Sequence, residues 1–178
     1  MPLLSACDDF RRDIHYVPTP EPVVSAMLEM AEIGPDDVLY DLGSGDGRIP
    51  IAAAKQYGIR AVGIEIDPDL VERARRNAEE AGVSHLVEFR EADLFTADIS
   101  DATVVALFLG DMLNIRLRPR LLDLEPGSRV VSQRFSMGSW EPDETRTVAN
   151  RPVYKWTVPE LFLGGHAIET GRATEPVR

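Results

Sequence analysis

The stretch from Val38 to Ile49, Val-Leu-Tyr-Asp-Leu-Gly-Ser-Gly-Asp-Gly-Arg-Ile, constrains the fold more than any other part of the chain. An apolar run breaks into a turn with glycines at 43, 45 and 47, and a helix-like pattern follows. A strand buried on both faces of a parallel sheet produces such a run, and glycine, having no Cβ, lets the backbone beyond its carboxyl end come close to a ligand. The order of the residues also separates ligand classes. A dinucleotide fingerprint needs its third glycine at position 48, which is Arg48 here, with the glycine one place earlier at Gly47. Asp41, two places before the first glycine, would repel a pyrophosphate and attract a cation.

The surrounding pattern supplies the rest of an α/β sheet. Apolar positions Val23, Val24, Met27, Leu28 and Ala31 form one face of a helix closed by Gly34-Pro35, with Thr19 as the expected N-cap and Pro20 as its first residue. After the glycine loop a helix to about residue 58 and a strand over 60–66 complete a βαβ unit. Glu65 stands at the end of that second strand, about twenty residues past the glycines, where a carboxylate can accept from both ribose hydroxyls. Asp67-Pro68-Asp69 reads as the cap and first turn of the next helix. Further strands are expected over 86–90, 103–109 and 129–135, and Val153–Val158 alternates like an antiparallel strand near a sheet edge. Residues 170–178 read as a frayed tail.

At 178 residues the chain is expected to form one domain, with a lead-in and helix over 1–34, a core over 35–135 and C-terminal strands and tail over 136–178. No apolar run is long enough to cross a bilayer, and no metal site is expected. The opening residues make a poor signal peptide, and the lone Cys7 fits a reducing compartment, so a cytoplasmic location is expected. The net charge of −11 disfavours wrapping a nucleic acid and suits a basic partner, although a basic patch around Arg11-Arg12 or Arg116 to Arg120 stays open.

Acid-x-Gly-x-Gly-x-Gly at 41–47 resembles motif I of the class I S-adenosylmethionine (SAM) methyltransferases, whose ligand carries a sulfonium and an ammonium. Taken together, Tyr16-Val17-Pro18-Thr19, Asp41 to Ile49, Gly63-Ile64-Glu65, Asp93-Leu94-Phe95 and Arg129-Val130-Val131-Ser132 resemble the seven-stranded lysine methyltransferases of the mitochondrial adenine nucleotide translocase and ATP-synthase c-subunit, with their prokaryotic relatives. The resemblance runs from about residue 14 to about residue 158. It implies a Rossmann-like seven-stranded class I methyltransferase sheet with helices on both faces, and SAM as cofactor. It also implies cofactor contacts from Tyr16, Pro18 and Thr19 in the lead-in, and from Asp41, Gly43, Ser44 and Gly45 at the loop. Glu65 and Ile66 after the second strand, Asp93 and Leu94 after the third, and Phe108 at the end of the fourth complete the set. Asp93 is placed to accept from the adenine amino group.

The sequence departs from that family in two respects: the membrane-associating segment that precedes the lead in mitochondrial members is not expected here, and Gly110-Asp111 stands where an Ala-Pro or Leu-Pro pair follows the fourth strand. The implied activity is methyl transfer to a lysine of a protein. A small-molecule methyltransferase and a non-catalytic SAM-binding protein are the alternatives, and Leu109-Gly110-Asp111-Met112 offers no Pro-Pro-aromatic loop to grip a flipped base. An amine acceptor with an ordinary pKa of about 10.4 must lose a proton before attack. Asp111, His15 and Tyr16 are the candidates for orienting or deprotonating it. Each has a structural alternative, respectively a helix cap, a solvated loop residue and a packed ring.

Overall fold

In the computed structural model of the protein, residues 17–160 are described. Seven strands form one sheet: β1 Val38–Leu42, β2 Arg60–Glu65, β3 Val87–Glu91, β4 Val104–Leu107, β5 Arg129–Gln133, β6 Glu144–Val148 and β7 Arg151–Thr157. Their order is β3-β2-β1-β4-β5-β7-β6. The pairings from β3 through to β5 are parallel, and β7 runs antiparallel to both β5 and β6. The chain works outward from β1 to β3 on one side, then returns to place β4 on the other side. This reversal is a topological switch point, which opens a crevice above the carboxyl ends of β1 and β4.

The period of two along each strand splits the core. Leu39, Ala61, Ala106, Val131 and Val153 face α1 (Glu21–Met30), α2 (Arg48–Tyr57) and α3 (Pro68–Glu80). Tyr40, Leu42, Val62, Leu107 and Trp156 face the opposite way, toward α4 (Asp111–Leu122) and the segment around Ile99 and Ala102. Helices therefore cover both faces, and the central strands are buried on both sides as their unbroken apolar runs require.

Several local features differ from the sequence expectation. Pro20, not Thr19, occupies the N-cap of α1, no side chain caps the helix, and Pro22 sits in its first turn. β4 and β5 stop two residues earlier than expected. β6 lies in a stretch with no strand expectation from the sequence. Its central residues Thr145, Arg146 and Thr147 are exposed, so this edge strand has no apolar alternation to announce it. Asp67 does cap α3, accepting from the Asp69 amide at 2.9 Å.

Candidate functional site

At the carboxyl end of β1 the chain turns through three glycines in the left-handed region, with φ of 83° at Gly43, 54° at Gly45 and 80° at Gly47. Side-chain-bearing residues rarely adopt this conformation, which explains the alternation of glycine here. The turn is pinned to the end of β2: the amides of Gly43 and Ser44 both donate to the Ile64 carbonyl, at 2.8 and 3.0 Å. Close approach depends on Gly63 as well. A Cβ on Gly63 would lie 2.5 Å from the Phe89 ring and 2.6 Å from Ser44 Oγ. That hydroxyl is buried without a hydrogen-bond partner.

Asp41 lies beneath this turn, 3% exposed. Burial, and then the charges of Glu65 and Asp46, push its carboxyl from the usual range up to about 8. The loop amides bond elsewhere, and no hydrogen bond or cation is present at the Asp41 carboxylate among the described residues. Asp46 does have a cation. Arg48 grips its carboxylate through Nε at 3.0 Å and a second guanidinium nitrogen at 2.7 Å, and also donates to the Thr19 carbonyl at 2.8 Å. The residue that breaks the dinucleotide fingerprint thus ties the lead-in to the start of α2. Sequence reading misses this clamp, although the i, i+2 spacing of acid and arginine around Gly47 is its visible signal.

Glu65 carries a structural duty that the sequence does not reveal. Its Oε2 accepts from the Gly45 amide at 2.9 Å, and its Oε1 accepts from the Ile66 and Asp67 amides at 2.8 and 3.1 Å. A carboxylate has about four lone-pair sites, so Oε2 keeps capacity for a further donor such as a hydroxyl. Ile66 beside it is exposed. Asp93 forms a turn, with Oδ1 accepting from the Phe95 amide at 2.9 Å. The loop that follows is clamped to α4: Arg120 donates to the carbonyls of Leu94 and Ala97, and Arg116 stacks over the Phe95 ring at 3.8 Å. Arg118 is likewise spent on the Met137 carbonyl and Ser139 hydroxyl. The arginines of 116–120 therefore hold loops.

On the far side of the crevice, Phe108 stacks on Phe135 with ring centroids 5.8 Å apart. Asp111 is the first residue of α4 rather than its cap. Its Oδ1 accepts from the Ser136 amide at 2.8 Å and hydroxyl at 3.2 Å, joining α4 to the segment after β5. Thr19 is buried and Pro18 exposed at the entry to α1. His15 and Tyr16 lie outside the described residues. Among the described residues no group of His, Cys, Asp and Glu is arranged to hold a metal ion, and no helix is long and apolar enough to cross a membrane.

The crevice is suited to a ligand that is cationic at one end and hydroxylated further along. Among the described residues it offers a buried carboxylate with no cation, a glycine cradle that a Cβ would fill at 2.6 Å from Leu109, an orphaned buried hydroxyl at Ser44 and a carboxylate with spare acceptor capacity at Glu65. With the sheet order, this defines a class I SAM-dependent methyltransferase. A profile of the ANTKMT methyltransferase domain matches residues 41–144. A protein-lysine N-methyltransferase of Saccharolobus islandicus is 44% identical over 153 residues, covering 83% of this chain and 95% of that protein. The adenine nucleotide translocase lysine N-methyltransferase of Mus musculus is 38% identical over 134 residues, 74% of this chain and 58% of that one, so the chain spans less than two thirds of this second relative. A crystal structure described as an RNA methyltransferase from Salinibacter ruber in complex with S-adenosyl-L-homocysteine superposes with a TM-score of 0.79 at 61% identity, covering 81% of this chain and 95% of that one. The chain belongs to the ANTKMT methyltransferase family.

Proposed function

We propose that the protein methylates the ε-amine of lysine side chains in a protein acceptor, acting as one domain in the cytoplasm. The match to the protein-lysine N-methyltransferase of Saccharolobus islandicus carries this reading, because it extends over 95% of that protein. The lone Cys7 supports the location, as a reducing compartment leaves such a thiol free.

Held in the crevice, SAM would supply an electrophilic methyl carbon on a sulfonium, so that a C–N bond to a neutral amine forms as the C–S bond breaks and S-adenosylhomocysteine leaves. In this reading Asp41 faces the positive methionine end, and Gly43, Ser44 and Gly45 let the backbone pass close beside it. Glu65 holds the ribose through the acceptor capacity left on Oε2, with Ile66 flanking it. Asp93 and Leu94 receive the adenine, Phe108, Pro18 and Thr19 wall the methyl end, and Tyr16, outside the described residues, is a further proposed cofactor contact. Asp111, His15 and Tyr16 are the proposed groups for orienting the amine or taking its proton. Asp111 already accepts from Ser136, which favours an orienting role over proton transfer. The chain's work is positioning and electrostatics, since a reaction of this kind needs no covalent help from the protein.

An RNA acceptor is the second reading, prompted by the description of the Salinibacter structure. The net charge of −11 and the engagement of Arg116, Arg118 and Arg120 with internal partners weigh against it. Incubation of the pure protein with methyl-labelled SAM and cell lysate tests both. Label that resists nuclease, is released by protease and elutes as methyllysine after acid hydrolysis is the expected result. Nuclease-sensitive label would overturn the lysine reading.

A further inference from the structure

The side chain of Gln133, at the carboxyl end of β5, is fully buried and neither its Nε2 nor its Oε1 has a hydrogen-bond partner. A primary amide has two donors and an acceptor to satisfy, and buried polar groups with no partner at all are rare enough to require a reason. The neighbouring polar groups are partly satisfied, with only Asn114 Oδ1 among them left without a partner. Ser132 donates to the Phe135 carbonyl at 2.8 Å, and Asn114 Nδ2 donates to Ser132 Oγ and to the same carbonyl, both at 3.1 Å.

The register states where Gln133 stands. Asp41, Ala106 and Val131 lie side by side across β1, β4 and β5. Side chains two residues apart share a face, so Gln133 lies one step beyond Val131 on the face that also carries Asp41, closer to the crevice. With strands spaced at about 4.8 Å, β5 lies roughly 10 Å to the side of β1. The backbone holds the position firmly. The Phe135 amide turns back to the Gln133 carbonyl at 2.9 Å, and Arg134 between them has a φ of 70° with its amide donating to the Pro152 carbonyl at 2.7 Å. A side-chain-bearing residue in this region is costly, and such outliers gather at functional sites. The turn then brings Phe135 back to stack on Phe108 at the end of β4.

We propose that Gln133 is the acceptor-positioning residue: its Oε1 accepts a hydrogen bond from the N–H of the incoming primary amine, on the side of the crevice away from Asp41. This deepens the lysine reading above and rests on it for the class of acceptor. The neutrality of the amide matters chemically. A carboxylate at this position would hold the acceptor as an ammonium, with no lone pair to attack, whereas an amide oxygen orients a neutral amine without raising its pKa as a charge would. Sealed from bulk water, the amide makes a stronger bond to the amine than an exposed one could.

The test uses the side-chain amide signals of Gln133 in the 15N-labelled protein, identified by their loss in Gln133→Met. With the protein saturated with S-adenosylhomocysteine, n-butylamine should shift these signals saturably. Butyltrimethylammonium, which keeps a positive charge but has no N–H, should leave them in place. Gln133→Met should melt no lower than the parent and bind S-adenosylhomocysteine within about twofold. Its apparent KM for the lysate protein that the parent labels should rise at least tenfold, with a smaller change in kcat. Amide signals indifferent to n-butylamine, or a Met variant with the parent's KM, would overturn the proposal. Label found in RNA overturns the lysine reading instead, and the n-butylamine titration tells the two failures apart.

Discussion

Two carboxylates in the crevice do opposite things, and each has its own test. Asp41 has a folded-state pKa raised to about 8, so it favours the folded state most below the ordinary carboxylate pKa of 3.8 and loses that contribution as pH rises through about 8. A cationic ligand needs the ionised form. Affinity for SAM should therefore climb between pH 6 and pH 8, by up to about tenfold per unit, with proton release visible as a buffer-dependent calorimetric enthalpy. Asp41→Asn should abolish this dependence and weaken binding, while melting no lower than the parent at pH 8. An Asn variant with the parent's affinity and pH profile would remove the electrostatic role. Glu65, by contrast, is hydrogen-bonded in the folded state by three backbone amides. Glu65→Ala should lower stability by about 0.5 to 1.5 kcal/mol, chiefly through the part-buried Gly45 amide, since the exposed Ile66 and Asp67 amides can turn to water, and should weaken S-adenosylhomocysteine binding as well. Loss of affinity at unchanged melting temperature would show that the loop does not need the carboxylate.

At the scale of elements, the site depends on how closely β2, β3 and the glycine turn approach one another. Gly63→Ala places a Cβ against Phe89 and Ser44 Oγ, and overpacking of this kind costs about 1 to 3 kcal/mol. Thermal denaturation should show that loss, and S-adenosylhomocysteine affinity should fall with it because Ser44 is displaced. A variant with the parent's melting temperature and affinity would show that the contact yields freely. The β1, turn, α2 and β2 succession is legible in sequence because each piece signals itself locally: an apolar run, alternating glycines, a helical period. The bond from Glu65 to Gly45 spans twenty residues and leaves no such trace. The same holds for Asp111, whose partner Ser136 lies 25 residues away. β6 escapes notice for another reason: an exposed edge strand needs no apolar face, so Glu144–Val148 carries no strand signal. Gln133 is hidden because nothing in a sequence distinguishes a buried glutamine from a solvated one.

Across the whole molecule, the two kinds of buried acid set the pH range over which it holds together. Burial pushes Asp37 up, but hydrogen bonds from Arg129, Thr103 and Gly34 outweigh it and hold the carboxyl below its usual range. That contribution is present above the ordinary pKa of 3.8 and is lost as pH falls through the lowered value. Asp41 runs the other way. The melting temperature should peak on the acid side of neutrality, near pH 5, and fall in both directions, with S-adenosylhomocysteine raising it most near pH 8. A maximum at pH 8 without ligand would contradict the raised pKa of Asp41. The strand order has a consequence in time as well as in space. β7 lies between β5 and β6, so a strand made after both must take its place between them. β1 to β4, with the glycine turn, can assemble as they emerge, but the edge of β5 waits for residues 151–157. During synthesis the protein therefore passes through an interval with the glycine turn built and an unpaired strand edge exposed at β5, and this is where a nascent chain would misassemble or call on a chaperone.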